Sequence, residues 1–171
     1  MSPTGSSRGV NERKYNMTQN LFTEEELAKV TDEEERKHLI ECAQDQSKID
    51  LQYMKIMEKY DLWEKGSRSR YFHATTYANA DSIIKDGVIR KGMDGGVYVC
   101  KQPLEAAKFT VIRGQEEGSI FEVELEDRKV FETHDHNEAF FGCKAYMYMD
   151  DIPTAKIVKI SKYSIKEDQA E

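Results

Sequence analysis

Between Ser69 and Cys100 the chain gathers, in little more than thirty positions, a set of residue types able to do chemistry together. A short apolar pair, Tyr71-Phe72, delivers His73, Thr75 and Thr76 where a strand should end. Further on, Gly95-Gly96 leads into Val97-Tyr98-Val99-Cys100, a glycine turn feeding an apolar strand that carries a tyrosine. An imidazole at a strand end is either a structural hydrogen-bonder or a group that binds and titrates near neutrality. The tyrosine is either core or an aromatic face for a planar cation. Arg68, Arg70, Lys85, Arg90 and Lys91 lie around these positions in sequence. They read either as a solvated surface or as a cradle for a pyrophosphate or a phosphorylated substrate beside His73. Downstream stand Arg113 and the acids Glu132, Asp135 and Glu138. His134 and His136 have a metal-like His-x-His spacing, but Cys100 and Cys143 supply no matching ligand spacing, so no metal is expected and the pair reads as a pocket rim.

Such groups need elements to hold them. Ala80, Ile83 and Ile84 predict one face of a short helix, with Gly87 at its C-cap. Pro103 suits the first turn of a helix running to about Ile112, and Arg113-Gly114 closes it. Phe121, Val123 and Leu125 alternate with acids, a half-buried strand. Short strands are expected near Lys129–Phe131, over Ala145–Met149 and over Ala155–Tyr163, with Asp151-Ile152-Pro153 as a turn. Ahead of all this lie helical signals: Thr23 stands three before Glu26 and Thr31 three before Glu34, both in capping-box spacing. From Lys48 to Trp63 the residues Ile49, Tyr53, Ile56, Met57 and Tyr60 form one broad apolar face. Irregular alternation of short strands and helices argues an α+β class. The expected layout is a disordered tail over 1–21, a helical cap or arm over 22–66, the main domain over 67–165 and a tail over 166–171.

The order strand with His, helix, glycine turn, strand with Tyr resembles the nicotinamide pocket of the ADP-ribosyltransferase superfamily. The poly-ADP-ribose polymerase branch and the rifampicin-inactivating branch have His-Gly-Thr or His-Gly-Ser where this chain has His73-Ala74-Thr75. The family's Gly-x-Tyr stands here as Gly96-Val97-Tyr98, followed by a helix with Ala106 and Ala107. The resemblance covers roughly residues 70 to 160 and implies a split β-sandwich that binds NAD. It implies that His73 bonds a ribose hydroxyl on the adenosine side and that Ala74 and Thr75 lie close to the carboxamide. It further implies that Tyr98 stacks on the nicotinamide and that Gly95 and Gly96 leave room for the cofactor. Catalysis then needs a carboxylate near the ribose, for which Glu132, Asp135 and Glu138 are the candidates: in the rifampicin-inactivating branch an acid follows a Phe much as Glu132 follows Phe131. The polymerase-branch glutamate precedes a strand at a place where this chain has Lys144 and Ala145.

The RNA 2′-phosphotransferases of the same superfamily are also similar. They carry a phosphate-binding arginine and a glycine-containing turn where this chain has Arg113-Gly114, and stretches like Phe140-Phe141 and Asp151-Ile152-Pro153. Their Gly-His-Ser element and basic N-terminal domain have no match here. The leading expectation is therefore an NAD-dependent mono-ADP-ribosyltransferase whose acceptor is protein, nucleic acid or small molecule. The alternatives are an RNA 2′-phosphotransferase and a non-catalytic NAD- or ADP-ribose-binding module acting through its helical arm, where a protein partner is expected to dock.

Composition narrows the setting. The 171 residues carry a formal net charge of −7, which disfavours a charge-driven nucleic-acid binder. No apolar run is long enough to cross a membrane, and no secretory-type h-region opens the chain. The three cysteines, Cys42, Cys100 and Cys143, are too far apart in sequence for a disulfide framework, so a reducing cytoplasm is the expected compartment.

Overall fold

The computed structural model describes residues 21–64, 66–93, 95–111, 113–133 and 145–165. The chain forms two compact units, one made of residues up to Ser67 together with Glu126–Arg128, the other of Arg68–Leu125 and Lys129 onward.

Helices make the first unit. Helix α1 (Glu24–Lys29) opens with the predicted capping box: Thr23 Oγ1 accepts from the Glu26 amide at 3.1 Å, and Glu26 Oε1 accepts from the Thr23 amide at 3.0 Å. Helix α2 (Glu33–Gln44) is capped by Asp32, not by Thr31. Asp32 Oδ1 accepts from the amides of Glu34 and Glu35 at 2.9 and 3.1 Å, and an aspartate is the stronger cap of the two. Helix α3 (Leu51–Lys59) is shorter than the expected span from Lys48. A 3₁₀ turn over Gln46–Lys48 precedes it, and Asp50 caps it by accepting from the Tyr53 amide at 2.9 Å. Its apolar face holds: Ile49, Tyr53, Ile56 and Met57 are buried, and Tyr60 is half-buried with its hydroxyl donating to Glu35 at 2.8 Å.

Arg128 explains why a segment so distant in sequence belongs here. Its side chain is 1% exposed. Nε donates to the Leu21 carbonyl at 2.7 Å, Nη1 donates to the Leu62 carbonyl at 2.8 Å, and Nη2 pairs with Glu26 Oε1. The guanidinium also lies 4.6 Å from the centre of the Phe22 ring, and the Arg128 carbonyl accepts from the Tyr53 hydroxyl at 2.7 Å. Every donor direction of the fork that is used meets an acceptor, which is what a buried cation requires. No pattern in residues 22–66 could announce this partner.

The second unit is α+β. Strands β1 (Arg68–Thr75), β4 (Glu117–Glu126) and β8 (Ile157–Ser164) form one sheet in the order β1-β4-β8. Strands β3 (Val97–Val99), β5 (Val130–Glu132) and β6 (Tyr146–Tyr148) form another in the order β3-β6-β5. Its antiparallel register aligns Tyr98 with Met147 and Phe131, and Val99 with Tyr146 and Glu132. Strand β2 (Val88–Ile89) pairs with β7 (Ile152–Pro153), so Ile152 and Pro153, expected in a turn, are a short strand.

Alternation along β4 builds the layers. Phe121, Val123 and Leu125 enter a core shared with Val97, Val99, Val130, Tyr146 and Tyr148 of the second sheet. On the opposite face Ile120 and Tyr163 pack with Ala107, Val111, Phe72 and Ala74, placing helix α5 (Pro103–Val111) over the sheet. Helix α4 (Tyr77–Asp86) is capped by Thr76, whose Oγ1 accepts from the Asn79 amide at 3.1 Å, and ends at Gly87 with φ +79°. Ala80 is buried and Ile83 packs on the core, but Ile84, expected beside them, is 53% exposed. A ten-residue helix docked along one edge covers only part of its apolar stripe. Gly118 marks the tightest approach of β1 and β4: a Cβ there would collide with the Thr75 carbonyl and press on the Tyr163 ring.

Candidate functional site

The second unit contains a cleft of about 250 Å³. The end of β1 (Phe72, His73, Ala74), strand β3 (Tyr98 between Val97 and Val99) and helix α5 (Ala106, Phe109, Thr110) form its walls, with Arg90 and Arg113 also lining it.

A backbone bridge brings the histidine and the tyrosine together. The Phe72 amide donates to the Cys100 carbonyl at 2.8 Å and the Cys100 amide to the Phe72 carbonyl at 2.9 Å, aligning β1 antiparallel to the end of β3. His73 is thereby set against Tyr98, and its Nδ1 lies 2.8 Å from the Tyr98 carbonyl oxygen. A carbonyl only accepts, so Nδ1 carries the proton and Nε2 of the neutral ring is left as an acceptor. Burial lowers the His73 pKa from its ordinary 6.5, and the bond to the Tyr98 carbonyl opposes that shift without cancelling it. The ring is neutral at pH 7.

Tyr98 lies between two buried valines, so strand alternation turns its ring to the other side of the sheet, where it is 36% exposed at the cleft. Gly96 also lines the cleft, but the space it leaves is taken by the protein itself: a Cβ would meet the Met147 side chain and the Tyr148 carbonyl. Its role in the fold is to let β3 lie close to β6. Gly95, at φ +91°, supplies the turn.

The cleft gathers some of the sequence-derived residues and leaves others apart. His73, Ala74, Gly96, Tyr98 and Arg113 line it. Thr75 lines a second cavity of about 270 Å³, with His73 and Arg90 common to both. Of the basic set, Arg90 lines the cleft, whereas Arg70 donates from Nη1 to Glu122 at 3.0 Å and from Nε to Glu124 at 3.3 Å. Glu132 does not line it: cross-strand register puts it with Tyr146 and Val99 on the face opposite Tyr98. Glu138, Asp135, His134 and His136 lie outside the described residues. Among the described residues, no carboxylate lines the cleft, and no group of three or more His, Cys, Asp or Glu is placed to hold a metal ion.

Phe109 and Thr110, and with them Gly92, line the cleft without having stood out in the sequence. The signal was available: Ala106, Phe109, Thr110 and Arg113 fall at i, i+3, i+4 and i+7, one face of a helix and its continuation. Together the cleft offers three aromatic residues from different elements, a neutral imidazole with an open acceptor, and two guanidinium groups. That combination suits a ligand joining a planar ring to hydroxyls and an anion.

No family model matches the chain, and no curated protein matches it. Among solved structures, the crystal structure of protein CC0527 from Caulobacter crescentus is similar with a TM-score of 0.43 and 12% sequence identity, over 60% of this chain and 100% of that one. A double mutant of the same protein gives the same values.

Proposed function

We propose that the second unit is an ADP-ribosyltransferase-type split sandwich that binds NAD in the cleft and transfers ADP-ribose to an acceptor. One observation carries the reading: His73 and Tyr98, on different strands, are joined by a 2.8 Å bond and line one cleft together with Arg90 and Arg113. Tyr98 stacks on the cationic nicotinamide ring, His73 Nε2 accepts from a ribose hydroxyl, and the arginines face the pyrophosphate. The nicotinamide–ribose bond breaks with its electron pair leaving on the nicotinamide nitrogen, which neutralises that ring and needs no general acid. The ribosyl carbon develops oxocarbenium character, as in glycoside hydrolysis, and takes the acceptor's lone pair. A carboxylate stabilises that cation and takes the proton that the acceptor loses as its bond to the ribosyl carbon forms. Glu132 is turned to the other face, which leaves Asp135 and Glu138 as the candidate acids.

A second reading, NAD-dependent removal of an RNA 2′-phosphate, is favoured by Arg113 lining the cleft while no described carboxylate does. Nicotinamide release from NAD by the pure protein, with and without acceptors, tests both. Under the first reading Asp135→Asn or Glu138→Gln lowers release by about 10²-fold or more, the scale of one preorganised electrostatic group, and Arg113→Ala has a milder effect. The reverse ranking, with 2′-phosphorylated RNA as the effective acceptor, selects the second. Binding of NAD without release, in every acceptor mixture, reduces the domain to a binding module. No helix among the described residues is long and apolar enough to cross a membrane.

A further inference from the structure

The second cavity differs in chemistry from the cleft with which it shares His73 and Arg90. Thr75, Asn79, Ser82 and Asp86 bring two hydroxyls, an amide and a carboxylate to it, three of them from helix α4. Asp86 is the last residue of that helix, just before the Gly87 cap. A negative charge there opposes the helix dipole, which favours cations at a C-terminus. A residue that breaks a local rule on an exposed position, at the wall of a polar cavity, is a candidate for work other than folding. A carboxylate accepts from the hydroxyls of an unmodified ribose and repels a ribose bearing a phosphate.

We infer that Asp86 is a specificity-determining residue, which makes the cavity accept the unphosphorylated ribose of NAD and reject the 2′-phosphate of NADP. The inference rests on the proposed NAD-binding function and adds to it the choice between the two dinucleotides. Arg90 is the one cation lining this cavity among the described residues. It also lines the cleft, which puts it at the junction, where the bridging pyrophosphate of a ligand spanning both spaces would lie. Asp86 then faces the ribose without a phosphate-binding partner of its own.

Calorimetric titration of the full chain with NAD and with NADP tests this. NADP should bind the unmodified protein at least about tenfold more weakly than NAD, the effect expected of one like-charge contact. Asp86→Asn should tighten NADP by about the same factor, weaken NAD modestly as the ribose loses its charged acceptor, and raise the melting temperature by relieving the helix end. Asp86→Glu, which keeps the charge, should keep the preference. Equal affinities in the unmodified protein, or an unchanged ratio in Asp86→Asn while NAD still binds, overturn the role of Asp86 and leave the NAD reading standing. A preference for NADP that Arg90→Ala abolishes overturns it with the opposite sign. Failure of both nucleotides to bind overturns the inference together with the reading beneath it.

Discussion

His73 is where fold and proposed chemistry meet in a single side chain. Its ring is fixed by the Tyr98 carbonyl, and burial depresses its pKa below 6.5. In the unfolded chain the same imidazole titrates at its ordinary value, so between the two values the unfolded state binds the extra proton. The contribution is intact above 6.5 and is lost as pH falls towards the depressed folded value. The melting temperature should therefore fall on acidification through that window by more in the wild type than in His73→Gln, and parallel curves would remove the ring from this account. Tyr98 answers a different measurement. Its ring is partly exposed, so Tyr98→Ala should leave the melting temperature nearly unchanged. It should weaken NAD by about tenfold, which corresponds to the ~1.4 kcal/mol expected of one stacked aromatic face on a cation. A variant that loses stability and keeps NAD affinity would make Tyr98 a packing residue only.

At the scale of elements, the closest backbone contact is the most exacting. Gly118→Ala places a methyl group against the Thr75 carbonyl and the Tyr163 ring, so β1 and β4 must separate or bend. The cost should be about 1–3 kcal/mol, the range of overpacked cores, read as a lower denaturation midpoint. The sequence made some of this architecture legible and hid the rest for physical reasons. The period-two pattern Phe121, Val123, Leu125 announces a strand because one face is dry, and the Thr23–Glu26 box announces a helix start because both cap bonds are local. Ile152-Pro153 does not announce a strand, since two residues carry no period and their partner, Val88-Ile89, is far off in sequence. In the candidate site, His73 and Tyr98 stand out as residue types, whereas the turning of Glu132 away from Tyr98 depends on a three-strand register that only the paired chain fixes. Phe109 was hidden because a phenylalanine in an amphipathic helix reads first as core.

For the molecule as a whole, the division of the chain at Arg128 has the widest effects. Arg128→Ala leaves Glu26 and the carbonyls of Leu21 and Leu62 without their partner, and breaking a buried pair of this kind costs about 3–5 kcal/mol. Burial alone would raise the Glu26 pKa. The hydrogen bond from Arg128 and those from Thr23 outweigh that effect and hold it below its ordinary 4.5. This contribution is complete above 4.5 and is lost as pH falls through the depressed value, so the Arg128→Ala penalty should shrink in acid; a penalty independent of pH would deny the ion pair its role. The same arrangement sets an order in time. During synthesis helices α1 to α3 leave the ribosome long before Arg128, the residue that completes their interior, because β1 to β4 must be made first. At about 5–20 residues per second, the 64 positions separating Leu62 from Glu126 take several seconds, ample for helices that form in microseconds. The helical unit thus waits for its last piece until half of its neighbour has been made, and that piece arrives from the middle of its neighbour's sequence.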